Sequence, residues 1–263
     1  MICLLNDNHL RRADPRPMNA SLRLPMGDSM FRSVVLSVLF ATFLAGAADA
    51  YELTPLERTV SPAGRDASTT FRLDNKEAKP VAVELSIFSR AMAEDGSDIL
   101  TPADNDFVVY PQQVIVMPGQ SQTVKVNFVG TPPSGIEAAY RLVADQLPVD
   151  MDKKQTDKGG AMAVLVRYMA SLYVQPQGVK PSIAVLASEV TSGGRLKMTL
   201  ENSGSSHALL NDIQLRVGDK VLEGPQLEGL LGQNLLAGVK RDFFIVAPEG
   251  VARTPEVKLL KRQ

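Results

Sequence analysis

Tryptophan is absent from the 263 residues, histidine occurs twice and cysteine once, as Cys3. The missing tryptophan removes the Cys-Trp-Cys core that marks antibody-type sandwiches. With Cys3 as the sole cysteine, disulfide and thiol chemistry are excluded from the rest of the chain, so the fold must hold by its core alone. His207 is the only histidine after residue 50, too few for a multi-histidine zinc site. No sign of charge dominates: 28 Lys and Arg face 29 Asp and Glu, a net charge of −1. No bulk field therefore draws nucleic acid or an anionic membrane. There is no G-x-S-x-G elbow and no glycine-rich phosphate loop followed by Lys-Ser/Thr. The acidic pairs Glu94-Asp95 and Asp104…Asp106 sit beside Gly96 and Pro102 and read as solvated loops rather than glycosidase carboxylates. Met92, Met117, Met151, Met162, Met169 and Met198 lack the paired spacing and histidine support of a copper site, and read as filler of apolar gaps. No cofactor and no metal is implied.

An apolar run long enough to cross a bilayer is also missing. Val34–Leu44 falls short of the ~20 residues required. With Arg32 before it and Ala48-Asp49-Ala50 after it, residues 30–50 read as a secretory signal cleaved before Tyr51, with no stable membrane insertion. Residues 1–29 mix Pro, Arg and Asn without periodicity and read as an upstream mis-start or a disordered extension, Met26 and Met30 each being a better start than Met1.

From Tyr51 onward, short β-branched runs alternate with Pro, Gly, Asn and Asp. Thr69–Leu73 stops at Asp74-Asn75. Val81–Phe88 places Val81, Val83, Leu85 and Ile87 on one side, and Phe88 interrupts the polar side. Val114–Val116, Thr123–Val129, Tyr140–Leu147 and Ala161–Val174 follow. Such spacing predicts an all-β sandwich. The segment Gln175-Pro176-Gln177-Gly178-Val179-Lys180-Pro181 stops the ladder and stiffens a hinge. Alternation resumes in Arg195–Leu200, Ile213–Val217 and Phe243–Val246, so the chain divides into β domains at 51–175 and 176–263, joined at an angle.

Ala161–Val174 stands out. Met162, Val164, Val166, Tyr168, Ala170, Leu172 and Val174 form one nearly unbroken apolar stripe, which would extend about 46 Å as a strand, more than a small sandwich covers. Either it is a long central strand whose overhang packs on the second domain, or part of it is an open edge. Residues 152–160, charged and ending in Gly159-Gly160, read as an exposed loop feeding it. An open apolar edge ordinarily aggregates, and its natural use is pairing with a partner strand.

Further pieces sharpen this reading. They are Arg58-Thr59-Val60-Ser61-Pro62-Ala63-Gly64, Phe71-Arg72-Leu73-Asp74-Asn75, Tyr140-Arg141-Leu142 with Gln146-Leu147-Pro148, and Tyr173-Val174-Gln175-Pro176; Leu200-Glu201-Asn202-Ser203-Gly204 fits more loosely. In this order, behind a secretory signal, they resemble the periplasmic pilus-assembly chaperones with the PapD-like fold of two immunoglobulin-like sandwiches. The resemblance implies a chaperone, not an enzyme, that lends a strand to an incomplete immunoglobulin-like pilus or coat subunit without ATP, then yields the subunit to an outer-membrane usher. The donor residues it implies are Met162, Val164 and Val166, with Tyr168 as a fourth. It also implies two basic residues in the cleft between domains that anchor the subunit's terminal carboxylate. Arg58 matches the first. The family's lysine position holds Ser171, which supplies no fixed charge, so Arg141 and Arg167 are the candidates for the second. Both arginines lie in apolar runs, where an unpaired guanidinium is costly; lining the cleft is one solution and pairing with Glu84 or Asp145 another. The departure at Ser171 makes the chain resemble the divergent alternative or archaic members. A structural or adhesive module, such as a pilus subunit, is the competing reading. It would carry its own donor extension after the signal, where only Tyr51–Leu56, interrupted by Pro55, precedes Glu57 and Arg58.

Overall fold

The alternating runs fold as strands because each buries one side chain in two. The computed structural model describes residues 51–148 and 165–261, which form two β lobes in sequence, with no α-helix among the described residues. The first lobe contains β1 (Tyr51–Thr54), β2 (Glu57–Val60), β3 (Ser68–Asn75), β4 (Val81–Met92), β5 (Asp98–Pro102), β6 (Phe107–Tyr110), β7 (Gln113–Val116), β8 (Ser121–Phe128), β9 (Ala138–Leu147) and β10 (Arg167–Val174). One sheet runs β1-β3-β8-β6; the other runs β2-β10-β9-β4-β5, with β7 also on β4. The leading segment changes sheets at the cis Thr54–Pro55 bond: β1 lies antiparallel to β3, and β2 lies parallel to β10. Between the sheets, Phe71 and Leu73, Val81 through Ile87 at every second position, Val124 and Val126, and Leu172 and Val174 form the core.

The second lobe contains β11 (Ile183–Val190), β12 (Arg195–Asn202), β13 (Ala208–Leu209), β14 (Ile213–Val217), β15 (Lys220–Leu222), β16 (Asn234–Leu235), β17 (Lys240–Val246) and β18 (Val257–Lys261). Three-stranded sheets β11-β12-β17 and β15-β14-β18 enclose Leu196, Met198, Leu200, Leu215, Val217 and Ile245, and β13 and β16 pair beside them. Met92 and Tyr173 of the first lobe belong to this second core. Phe88, the residue that interrupts the polar side of β4, therefore precedes the stretch where that side turns from solvent to the other lobe. There Arg90 and Met92 are buried.

The segment predicted as a stiff hinge is clamped. Ser205 N–H donates to the Lys180 carbonyl (2.8 Å) and Lys180 N–H to Ser205 Oγ (3.1 Å). A β-carbon on Gly204 would lie 2.4 Å from the Lys180 carbonyl oxygen, so only glycine fits.

Two expectations need correction. The acidic stretch after Glu94 is not all solvated loop: Asp98–Pro102 pair with β4 as β5, and Asp98 meets Arg90 and Arg141 there. The long strand expected over Ala161–Val174 is, among the described residues, the eight-residue β10 starting at Arg167, with Leu165 and Val166 outside it. Met162 and Val164 lie outside the described residues, as do the expected signal, the segment before it and the charged loop.

Alternation in β10 gives a direct test. Leu172 is fully buried and Met169 is 45 % exposed. Leu172→Ala should cost about 3 kcal/mol in thermal or urea unfolding, and Met169→Ala no more than about 0.5 kcal/mol. Equal losses would mean that the face assignment is wrong.

Candidate functional site

The sheet β2-β10-β9-β4-β5 is used on both faces. Its inner side chains fill the first core, and its outer side chains meet the second lobe wherever that lobe covers them. The outer set comprises Arg90 and Met92 on β4, Ala139 and Arg141 on β9, and Ser171 and Tyr173 on β10. Register places Arg141 directly across from Ser171.

Arg141 Nη1 donates to Ser171 Oγ at 2.6 Å, which brings a guanidinium to the position where the lysine was expected. Arg141 Nε donates to Asp98 Oδ2 (2.8 Å), and Arg90 Nε donates to Asp98 Oδ1 (2.7 Å). One carboxylate thus serves two arginines, leaving the group one positive charge in excess. Burial pushes the Asp98 carboxyl up, but hydrogen bonds and charge from Arg141 and Arg90 overcome this and hold it below the usual carboxylate range.

The remaining candidates are dispersed. Arg58 is exposed on β2 and has no ion-pair partner among the described residues. The parallel register puts Glu57 beside Ser171 and Arg58 beside Leu172, so Arg58 shares the side of Val60. It lies two strands from Arg141, about 10 Å between backbones. Arg167 is an exposed residue held by Asp145, with Nη2 3.0 Å from Oδ2 and a shorter bond from Nε to Oδ1. Glu84, the other carboxylate considered for these arginines, accepts from Gln113 instead.

Along β10, Arg167–Ala170 pair with β9 alone, because pairing with β2 begins at Ser171. This leaves one edge open for four residues. Val166 and Tyr168 pack against the lobe's own core, Tyr168 edge-to-face on Tyr51 at 5.0 Å. Leu165 and Met169 are the exposed apolar side chains.

Beside the arginines lies a junction not expected from the sequence. Glu137, with a side chain only 2 % exposed, accepts from the His207 backbone N–H (3.1 Å), from His207 Nδ1 (2.7 Å) and from Gln175 Nε2 (2.9 Å). The His207 ring stacks on Tyr173 at 3.7 Å, and its Nε2 stands 4.0 Å from Glu57. Asn234 Nδ2 donates to the Tyr173 hydroxyl (2.6 Å), and Arg90 Nη1 makes a longer bond to it (3.4 Å). A cleft of about 230 Å³ lined by Arg90, Met92, Glu137, Ala139, Leu236 and Val239 opens between the lobes. The sequence signals for this junction were Tyr173 and Gln175, within one motif; Asp98 and His207 sit in polar stretches that look like ordinary turns.

The described residues thus form two sandwiches that share a junction, with one strand of the first open along part of an edge. Residues 54–180 match the family described as "Pili and flagellar-assembly chaperone, PapD N-terminal domain". The match covers the first lobe and the connecting segment, so the family likeness is carried by that lobe. Solved structures share its fold over both lobes. The CsuC–CsuE chaperone–tip subunit pre-assembly complex of Acinetobacter baumannii matches with TM-score 0.55 and 15 % identity, over 81 % of this chain and 99 % of that one. The Salmonella enterica SafA pilin–SafB chaperone complex matches with TM-score 0.50 and 16 % identity, over 82 % and 98 %. The E. coli chaperone DraB matches with TM-score 0.50 and 18 % identity, over 82 % and 97 %. No curated protein matches the chain in sequence.

The Asp98 cluster sets a pH dependence. A carboxyl depressed by folding stabilises the fold above its unfolded value, about 3.9, and the contribution fades as pH falls below that toward the folded value. Asp98→Asn strips both arginines of their counter-ion and should lower stability at pH 7 by about 3 kcal/mol. In chemical unfolding measured against pH, the gap to the native protein should narrow below about pH 4. A gap constant down to pH 2.5 would exclude the ion pairs as its source.

Proposed function

We propose that the protein captures incomplete immunoglobulin-like pilus or surface-coat subunits in the periplasm by ATP-independent donor-strand complementation and delivers them to an outer-membrane usher. The observation that carries this is the open edge of β10. Arg167–Ala170 have a ladder partner on one side only, and the apolar alternation continues upstream of them through Val164 and Met162. Backbone pairing would supply affinity, and the alternating side chains would supply selectivity. In the matched structures, CsuC is bound to a tip subunit and SafB to a pilin, which is the same kind of assignment. The departure at Ser171 supports a place among the divergent members.

The donor residues are Met162, Val164 and Val166, with Tyr168 closing the stripe where it enters the lobe's own core. Arg141, presented through Ser171, is the carboxylate anchor that the geometry favours. Arg58 acts from β2, two strands away, and Arg167, occupied by Asp145, contributes least. The domain boundary falls in the clamped segment after Gln175, and the mature chain starts at Tyr51 after removal of residues 30–50.

Co-expression with the secreted products of neighbouring genes should yield a soluble one-to-one complex with a subunit that otherwise aggregates; retention of none of them would remove the main support. Replacing Met162 and Val164 together by Asp should weaken capture by about a hundredfold or more, at about 1–3 kcal/mol per buried apolar side chain, while the free protein melts as before. Polymerisation of the purified mature protein would point instead to a subunit. For the anchor, Arg141→Ala and Arg58→Ala are combined in double-mutant cycles with a two-residue deletion of the subunit's terminus. The losses should overlap for a residue that holds the carboxylate, and strict additivity for both arginines would exclude the scheme.

A further inference from the structure

An unbroken line of hydrogen bonds leads from the anchor arginine into the second lobe. Ser171 Oγ accepts from Arg141 (2.6 Å), Arg141 donates to Asp98 (2.8 Å), and Arg90 donates to the other oxygen of Asp98 (2.7 Å). Arg90 then reaches the Tyr173 hydroxyl (3.4 Å), which also accepts from Asn234 of β16 (2.6 Å). Beyond it, the Asn234 carbonyl accepts from Arg241 Nη1 of β17 (3.0 Å). No link is a backbone ladder, so each can lengthen without unfolding a strand. The longest is the bond between Arg90 and Tyr173.

The charges along this line do not balance. Arg90 and Arg141 share Asp98, and Arg241 stands near enough to feel Arg90, Asp95 and, less strongly, Asp98. Burial, and then the charge of Arg90, push the Arg241 guanidinium below its ordinary value. Asn234 Oδ1 and Arg241 Nε are both buried without a hydrogen-bond partner, so the second-lobe end of the line is incompletely satisfied.

We propose that Asp98 couples the anchor to the junction, so that an anionic chain terminus arriving at Arg141 and docking of the two lobes reinforce each other. This rests on the reading of Arg141 as a carboxylate anchor. An incoming carboxylate competes with Asp98 for the Arg141 donors. Asp98 then belongs more fully to Arg90, Arg90 is held toward Tyr173, and the added negative charge reduces repulsion among the three arginines. By linkage the effect is reciprocal: the better the lobes are docked, the tighter the terminus is held, with couplings of this kind typically worth about 5–150-fold in affinity. Asp98, Tyr173 and Asn234 act as positioning residues, through Arg141 rather than on the ligand.

The probes are a synthetic nonapeptide of alternating Val and Thr with a free terminal carboxylate, and its terminal amide. Binding is measured to the full mature chain and to Tyr173→Phe and Asn234→Ala, neither of which removes an anchor group. The native protein should prefer the carboxylate, and the carboxylate-to-amide affinity ratio should fall about fivefold or more in both variants. A lobe contact that is only structural would weaken both peptides alike and leave the ratio unmoved. On the native protein, the carboxylate peptide should slow hydrogen exchange at Asn234–Leu235 and at the Ala93–Ser97 turn more than the amide does. A ratio within twofold of native in either folded variant, or equal exchange with the two peptides, overturns the coupling and leaves the anchor standing. Absent binding, or equal binding of the two peptides by the native protein, overturns the anchor reading and the coupling with it.

Discussion

Everything in the molecule depends on one sheet being buried on both faces over part of its extent. In β10, Leu172 and Val174 fill the core of the first lobe, while Tyr173 between them fills the core of the second. A strand has only two sides, so this alternation fixes register absolutely: a slip of one residue would place a tyrosine where leucine belongs and leave Arg141 without Ser171. β4 does the same with Ile87 facing inward and Met92 facing the other lobe. The polar groups at the junction are secondary to this. They are ordered because the apolar side chains on either side of them are.

The strands could be read from the sequence because each carries its own evidence. Val81, Val83, Leu85 and Ile87 alternate, as do Val124, Val126 and Phe128, and turn residues bound the runs. What covers a strand's second face is not local information. Arg90 and Met92 are buried at the end of β4, but nothing near them in sequence names the second lobe as what covers Met92. The length of the stripe ending at Val174 misled for a related reason. Alternation looks the same whether the apolar residues meet a core, a neighbouring lobe or a partner, so a strand boundary at Arg167 leaves no mark.

The candidate site divides along the same line. The substitution of serine for lysine at position 171 was visible, as was Arg141 in its apolar run, but their contact required the register of β9 against β10. Asp98 was hidden, because an aspartate in a polar stretch is ordinary until two arginines converge on it. His207 sits in Ser203-Gly204-Ser205-Ser206-His207 and reads as a turn; its stacking on Tyr173 and its bond to Glu137 exist only once the lobes meet. Arg58 was legible from its spacing in a motif, and the structure adds that register sets it beside Leu172, with Glu57 beside Ser171.

The clamp at Lys180 and Ser205 changes how the contacts between lobes should be weighed. A free tether would leave the second lobe sampling many orientations, and each contact would then have to offset the lost freedom. Here much of that freedom is already lost where Gly204 nests against the connecting backbone, so the facing surfaces meet at high effective concentration. Under that condition a 3.4 Å hydrogen bond or a 4.0 Å polar contact, negligible between separate molecules, suffices to select one orientation. The junction can therefore be tuned by small changes in its polar groups while the covalent connection keeps the lobes together.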